Sequence, residues 1–270
     1  MRNSIERAIA AGALDDLASL LSSAATPDIR YAARRLARDG DGTSSVLEHA
    51  KSFASRAEPS ARHVACHLLL KTYESDAAQT VDLLEGLLDD ADWTVRDAAA
   101  TIGGRLLRAD FQGMLHHVRT WTESPSPSVR RAAVIAAGRA AHPRHLEWAE
   151  PLLKLLRRSL GPFALGAALL RHYPRTTFEY LTQWSTSNDA QVLWNVAMAF
   201  SAPPAATMAK KTLIILRKLS LDERRLVWRA VSSALWKLGR TCPEIVRPEL
   251  ARWLEDDRRT DVAREALKHL

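Results

Sequence analysis

Ala91–Arg105 reads ADWTVRDAAATIGGR. A turn carrying Asp92 leads into Val95, Ala98, Ala99 and Ile102 at helical spacing, which predicts a helix start with one apolar stripe. Arg96 and Asp97 fall between the apolar positions and face away from the core. Trp93 and Asp97 are four residues apart and so lie on one helix face.

Working outward, the same unit recurs along the whole chain. Its anchor is an apolar residue near the start of a second helix, usually followed by arginine. The anchors are Ile29, Ala61, Val95, Val129, Leu156, Val192, Val227 and Val262, at successive spacings of 32, 34, 34, 27, 36, 35 and 35 residues. A helix pair of this length cannot bury its apolar face alone, so neighbours must stack. The first helix of each pair lies between anchors, as at Ala77–Leu88, Ala109–Trp121, His145–Leu155, Thr177–Trp184, Ala206–Leu219 and Pro243–Trp253. Turn clusters such as Ser124-Pro125-Ser126-Pro127 separate them. The expected fold is all-α: an α-solenoid of about eight helix pairs, curved, with a basic concave face.

The chain is expected to form one repeat domain over 1–270, and Gly40-Asp41-Gly42-Thr43 is the one loop that reads as a soft boundary. The shortened spacing from Val129 to Leu156, with Gly161, Pro162 and Gly166 just beyond, predicts a local distortion near residues 155–166.

Composition agrees. The 270 residues are 47% hydrophobic, enough for a sizeable core, and only 11 are glycine. No apolar run reaches 18 residues, so no membrane span is expected. The first residues, MRNSIERAIAAG, read as an amphipathic helix rather than a signal peptide. Two distant cysteines, Cys66 and Cys242, suit a reducing cytoplasm. The net charge of +7 is uneven: −4 over residues 1–90, +6 over 91–180 and +5 over 181–270. An acidic N-terminal cap over 1–90 and basic repeats over 91–270 follow. Most of the cations are arginine, which pairs bidentately with phosphate.

The column two past each anchor reads Asp97, Arg131, Arg158, Trp194, Arg229 and Arg264. Beside it run Arg96, Arg130, Arg157 and Trp228, with Arg105, Arg108 and Arg139 further along the helices. On one face of stacked helices these would track a phosphate backbone. The plainer alternative is that each arginine pairs with an aspartate of the next unit. Lys210 and Lys211, with Arg217, Lys218, Arg224 and Arg225, form a further basic cluster that reads as an arm onto the backbone or as a solvated face. Trp121, Trp184 and Trp253 end their first helices at a regular offset and read as core, as does Trp148. Trp93, Trp194, Trp228 and Trp236 are off that column and are candidates for stacking on sugar or base.

The Val-Arg pattern resembles the HEAT repeat family over nearly the whole chain. Trp93-x-x-x-Asp97, with Arg131 in the equivalent place of the next repeat, resembles the bacterial HEAT-like-repeat DNA alkylation repair glycosylases. That resemblance implies duplex DNA carrying alkylated bases as the partner and excision of purines bearing N3- or N7-alkyl groups. It implies Asp97 as the group that stabilises the oxocarbenium charge and positions water, and Trp93 as a clamp on the deoxyribose. It also implies a second aromatic near Pro162, for which Phe163, Trp194 and Trp236 are on offer. No metal or organic cofactor is implied, and the protein would act as a cytoplasmic monomer. The rivals are a non-catalytic repeat scaffold for a protein partner and a damage binder without excision activity.

Other chemistries lack their residues. His63 and His67 are spaced i, i+4, but Val64 stands where a metalloprotease helix needs glutamate, and no further ligand is in sight. There is no Ser–His–Asp order, no Gly-rich phosphate loop and no CxxC spacing.

Overall fold

The computed structural model describes residues 1–39, 43–158 and 162–270, leaving aside the side chains of Asp39, Thr43, Ser44, Arg158, Pro162 and Ala164. The Gly40–Gly42 loop and residues 159–161 lie outside the described residues, and with them the core of the expected boundary and of the expected distortion.

The described residues form helices and no strand. The helices are α1 (Arg2–Ala10), α2 (Leu14–Leu21), α3 (Thr26–Asp39), α4 (Thr43–Ala54), α5 (Pro59–Thr72), α6 (Ala77–Leu88), α7 (Trp93–Ala109), α8 (Phe111–Thr122) and α9 (Pro127–Ala140). They continue as α10 (Ala149–Arg158), α11 (Pro162–His172), α12 (Pro174–Trp184), α13 (Ala190–Phe200), α14 (Ala209–Leu219), α15 (Arg225–Thr241), α16 (Pro243–Trp253) and α17 (Thr260–Leu267). After α1 the pairs run α2–α3 to α16–α17, eight in all, the arrangement of an α-solenoid. Two compact units result, Met1–Ala136 and Ala137–Leu270.

In Met1–Ala136 the second helices stack in sequence, α3 on α5 on α7. Ile29, Ala61, Val95 and Val129 are all buried, as the repeat pattern requires. Aspartates start several helices: Asp76, Asp92 and Asp110 accept from the backbone N–H of Gln79, Thr94 and Gly113. The hydrogen bonds from Thr94 and Val95 hold the Asp92 carboxyl below the usual carboxylate range. Trp121 is buried, and its indole N–H donates to Glu85 Oε1 at 2.8 Å. His63 and His67 are likewise inside the packing, their rings stacked at 5.1 Å.

In Ala137–Leu270 the second helices also stack in order, α11 on α13 on α15 on α17. Val192, Val227 and Val262 are buried in α13, α15 and α17. Trp148, Trp184 and Trp253 are buried too, as their column predicts. Glu249, almost fully buried, accepts from the Trp253 indole N–H at 2.8 Å and from Arg217 Nε at 2.6 Å. Burial alone would raise the Glu249 carboxyl, but these donors and the nearby Arg252 outweigh it and hold it below its ordinary range.

One anchor is corrected. Leu156 lies in α10, the first helix of its pair, and α11 is the second. Second helices begin at residues 26, 59, 93, 127, 162, 190, 225 and 260. The short repeat is therefore the one from α11 to α13, where Pro174 opens α12 directly after Tyr173. The Leu155-Leu156-Arg157-Arg158 end of α10 imitates the anchor because an amphipathic helix with a basic end carries the same local pattern.

Candidate active site

The site grows from the first turns of α7 and α9. Asp92 caps α7, so Trp93 is its first helical residue, Arg96 the fourth and Asp97 the fifth. Ser126 plays the capping part at α9, accepting from the N–H groups of Ser128 and Val129 at 3.2 and 3.4 Å. Pro127, Arg130 and Arg131 thus take the places of Trp93, Arg96 and Asp97 one repeat later.

Between these turns lies a cleft of about 290 Å³. Trp93, Arg96, Asp97 and Ala100 line it from α7, and Pro127, Ser128, Arg131, Ala132 and Ile135 from α9. The two alanines are buried and form a floor without bulk. Trp93 is 68% exposed because the first residue of a helix has no preceding turn to pack on. Its ring stands beside the charged Arg96, Asp97 and Arg131.

Asp97 and Arg131 are both exposed. Among the described residues no hydrogen bond or ion pair holds the Asp97 carboxylate, and none holds the Arg131 guanidinium. The carboxylate is therefore open to the cleft beside an aromatic ring.

Arg96 and Arg130 are placed differently. Arg96 Nη1 donates to the carbonyls of Asp90 and Ala91 at 2.6 and 2.8 Å. Arg130 Nη1 does the same with Ser124 and Pro125 at 2.6 and 2.7 Å. Arg62, the matching residue of α5, binds Arg56 and Ala57 in the same way. In three successive repeats the fourth residue of the second helix staples the loop before it.

The Met1–Ala136 unit thus brings together Trp93, Arg96, Asp97 and Arg131, with Arg130 stapled beside them. The remaining predicted residues lie in Ala137–Leu270. Arg157 is exposed at the end of α10, off the second-helix column, and the Arg158 side chain lies outside the described residues. Trp194 is half-buried on α13, and Trp228 is half-buried on α15 next to the exposed Arg229. Lys210 and Lys211 are exposed on α14. Trp236 lines a separate cavity of its own unit. The sequence pattern did not single out Pro127, Ser128 and Ile135 as site residues, although Pro127 stands one repeat of 34 residues after Trp93.

Residues 22–161, slightly over half of the chain, match the DNA alkylation repair enzyme family. The chain belongs to that family. Trp93, Asp97 and Arg131 all fall inside the matched span. Solved structures similar to this family member include two engineered proteins of the Northeast Structural Genomics Consortium. They are 18% and 17% identical and cover 83% and 84% of this chain and 95% and 98% of their own, with TM-scores of 0.29 and 0.28. A designed armadillo repeat protein in complex with the peptide (KR)4 is 15% identical, covers 83% and 98%, and has a TM-score of 0.29. No curated protein matches the chain significantly.

Among the described residues of this family member, no three His, Cys, Asp or Glu side chains gather as metal ligands would. Burial lowers the pKa of both His63 and His67, the latter to about 4, so the pair sits as neutral rings inside the helix packing. Burial pushes the Cys66 thiol up. No described helix is long and apolar enough to cross a membrane.

Proposed function

We propose that this chain is a DNA glycosylase that excises purines carrying cationic N3- or N7-alkyl groups from duplex DNA. The observation that carries the proposal is the uncommitted, exposed Asp97 carboxylate sharing a cleft with the exposed Trp93. Membership of the DNA alkylation repair enzyme family supports it at the level of the pathway.

The chemistry suits that cleft. An N3- or N7-alkylated purine is already cationic, so the base leaves as a neutral species with the electron pair of its bond to C1′. The positive charge passes to the sugar as an oxocarbenium ion. A carboxylate held beside C1′ stabilises that charge as it develops and orients a water molecule. The water oxygen bonds to C1′ and its proton is released, leaving an abasic sugar. Trp93 gives the deoxyribose a flat apolar wall. Arg131, unpaired among the described residues, takes a neighbouring phosphate in this reading. Arg96, Arg130, Arg157, Arg158, Arg229, Lys210 and Lys211 supply further positive charge, and Trp194, Trp228 and Trp236 further rings. In this reading the protein works as a cytoplasmic monomer without a metal or organic cofactor.

The test is release of free base from duplex DNA carrying N7-methylguanine or N3-methyladenine. Asp97→Asn should slow release about 10²–10³-fold while leaving duplex affinity in place. Trp93→Ala should slow it by a smaller factor. No release by wild type, with salt-sensitive duplex binding intact, would reduce the protein to a damage binder. No release and no binding would leave the repeat scaffold for a protein partner.

A further inference from the structure

The Ala137–Leu270 unit holds a second cavity, of about 360 Å³, outside the span matched by the family. That volume falls within the roughly 300–1,000 Å³ range of small-ligand pockets. Its walls are Phe163 from the start of α11, the Ser201–Ala206 turn after α13, and Trp236, Lys237 and Arg240 from α15.

Lys237 is the unusual group. It is half-buried, with Nζ 4.8 Å from the centre of the Phe163 ring and 5.7 Å from that of Trp236. Its hydrogen-bond partner is the Ser201 hydroxyl, at a long 3.5 Å. Arg240, one turn on, lies 5.8 Å from the Trp236 ring centre. Among the described residues no carboxylate pairs with either cation. Burial lowers the Lys237 pKa, which marks a charge that has lost water without gaining a counter-ion. Lys237 and Arg240, one turn apart and without a carboxylate, fit the two charges of a phosphomonoester, which a single carboxylate on a ligand would match only in part. The rings beside them call for a flat group on the same ligand, since stacking on an aromatic face tolerates any base.

We propose that this cavity binds a nucleoside 5′-phosphate, with the phosphomonoester on Lys237 and Arg240 and the base against Trp236. The ligand is either a free mononucleotide or the 5′-phosphorylated end of a DNA strand, which present the same chemistry. The site does not depend on Asp97 or on base excision.

The experiment is isothermal titration of the full chain with thymidine 5′-monophosphate, with a 5′-phosphorylated oligothymidylate, and with its 5′-hydroxyl twin. At least one phosphorylated ligand should bind, and the phosphorylated oligonucleotide, if it is the one, at least ten-fold tighter than its twin. Lys237→Met and Arg240→Ala should each weaken that binding about ten-fold, and Trp236→Ala by a similar factor. Arg240 is exposed, so its variant keeps the test open if Lys237→Met folds poorly. Binding of the mononucleotide alone identifies a free nucleotide as the ligand, and binding of the oligonucleotide identifies a strand end. No binding of either phosphorylated ligand, equal affinity for the phosphorylated and hydroxyl twins without binding of the mononucleotide, or undiminished binding in Arg240→Ala would overturn the proposal.

Discussion

Arg62 grips Asp90 through two parallel hydrogen bonds, Nε to Oδ2 at 2.6 Å and Nη2 to Oδ1 at 2.9 Å. Both side chains are largely buried. Asp90 Oδ1 also accepts from the N–H of Asp92, and Asp92 caps α7. One ion pair between repeats thus fixes the loop from which Trp93 and Asp97 project. Arg62→Ala would leave the Asp90 carboxylate buried and unpaired, and should cost about 3–5 kcal/mol in urea unfolding. Adding Asp90→Ala should recover part of that loss.

Arg96 and Arg131 line the same cleft but should respond differently to alanine. Among the described residues no side chain pairs with Arg131, so Arg131→Ala should leave the melting temperature near wild type. It should reduce the slope of log affinity for duplex DNA against log salt by about 1. Arg96 staples two loop carbonyls, so Arg96→Ala should lower the melting temperature as well. Equal melting temperatures for the two variants would contradict this division.

The His67 imidazole is lowered to about 4 by burial, with His63, Arg30, Arg105 and Arg34 adding to the effect. The folded state therefore holds the ring neutral at pH values where the unfolded chain binds a proton. The stability this contributes is complete above about pH 6.5, the ordinary histidine value, and is lost as the pH falls toward about 4. The loss amounts to about 3 kcal/mol. His67→Leu should flatten the unfolding free energy over this window, which denaturant titrations at a series of pH values would detect.

Gly166 in α11 lies against Ala199 in α13, and a Cβ at Gly166 would sit 2.8 Å from Ala199 Cα. Backbone cannot yield as a flexible side chain would. Gly166→Ala should destabilise the Ala137–Leu270 unit by about 1–3 kcal/mol, read from its unfolding transition.

Most of the fold was legible because each repeat is a local pattern. Ala77–Leu88 and Pro243–Trp253 coincide with α6 and α16, and seven of the eight anchors lie buried in second helices. Leu156 misled because the basic end of α10 copies the anchor's local pattern, and only stacking distinguishes the two helices of a pair. The candidate site was legible as a pairing of Trp93 with Asp97 and a repeat offset to Arg131. The cavity around Lys237 was not, because only packing brings Phe163 of α11 to the turn after α13 and to α15.

The arginines show where sequence ends and tertiary structure begins. The sequence by itself determined that the chain is a helical repeat and that arginines recur beside the anchors, because helix periodicity and repeat length are properties of neighbouring residues. Tertiary structure alone decided what each arginine does. A side chain at the fourth position leans back toward the helix N-terminus and meets the loop carbonyls, as Arg62, Arg96 and Arg130 do. The fifth position is turned about 100° further around the axis and opens on the cleft, where Asp97 and Arg131 have no ion pair among the described residues. That one step of helical rotation separates a structural staple from a group left open to the cleft.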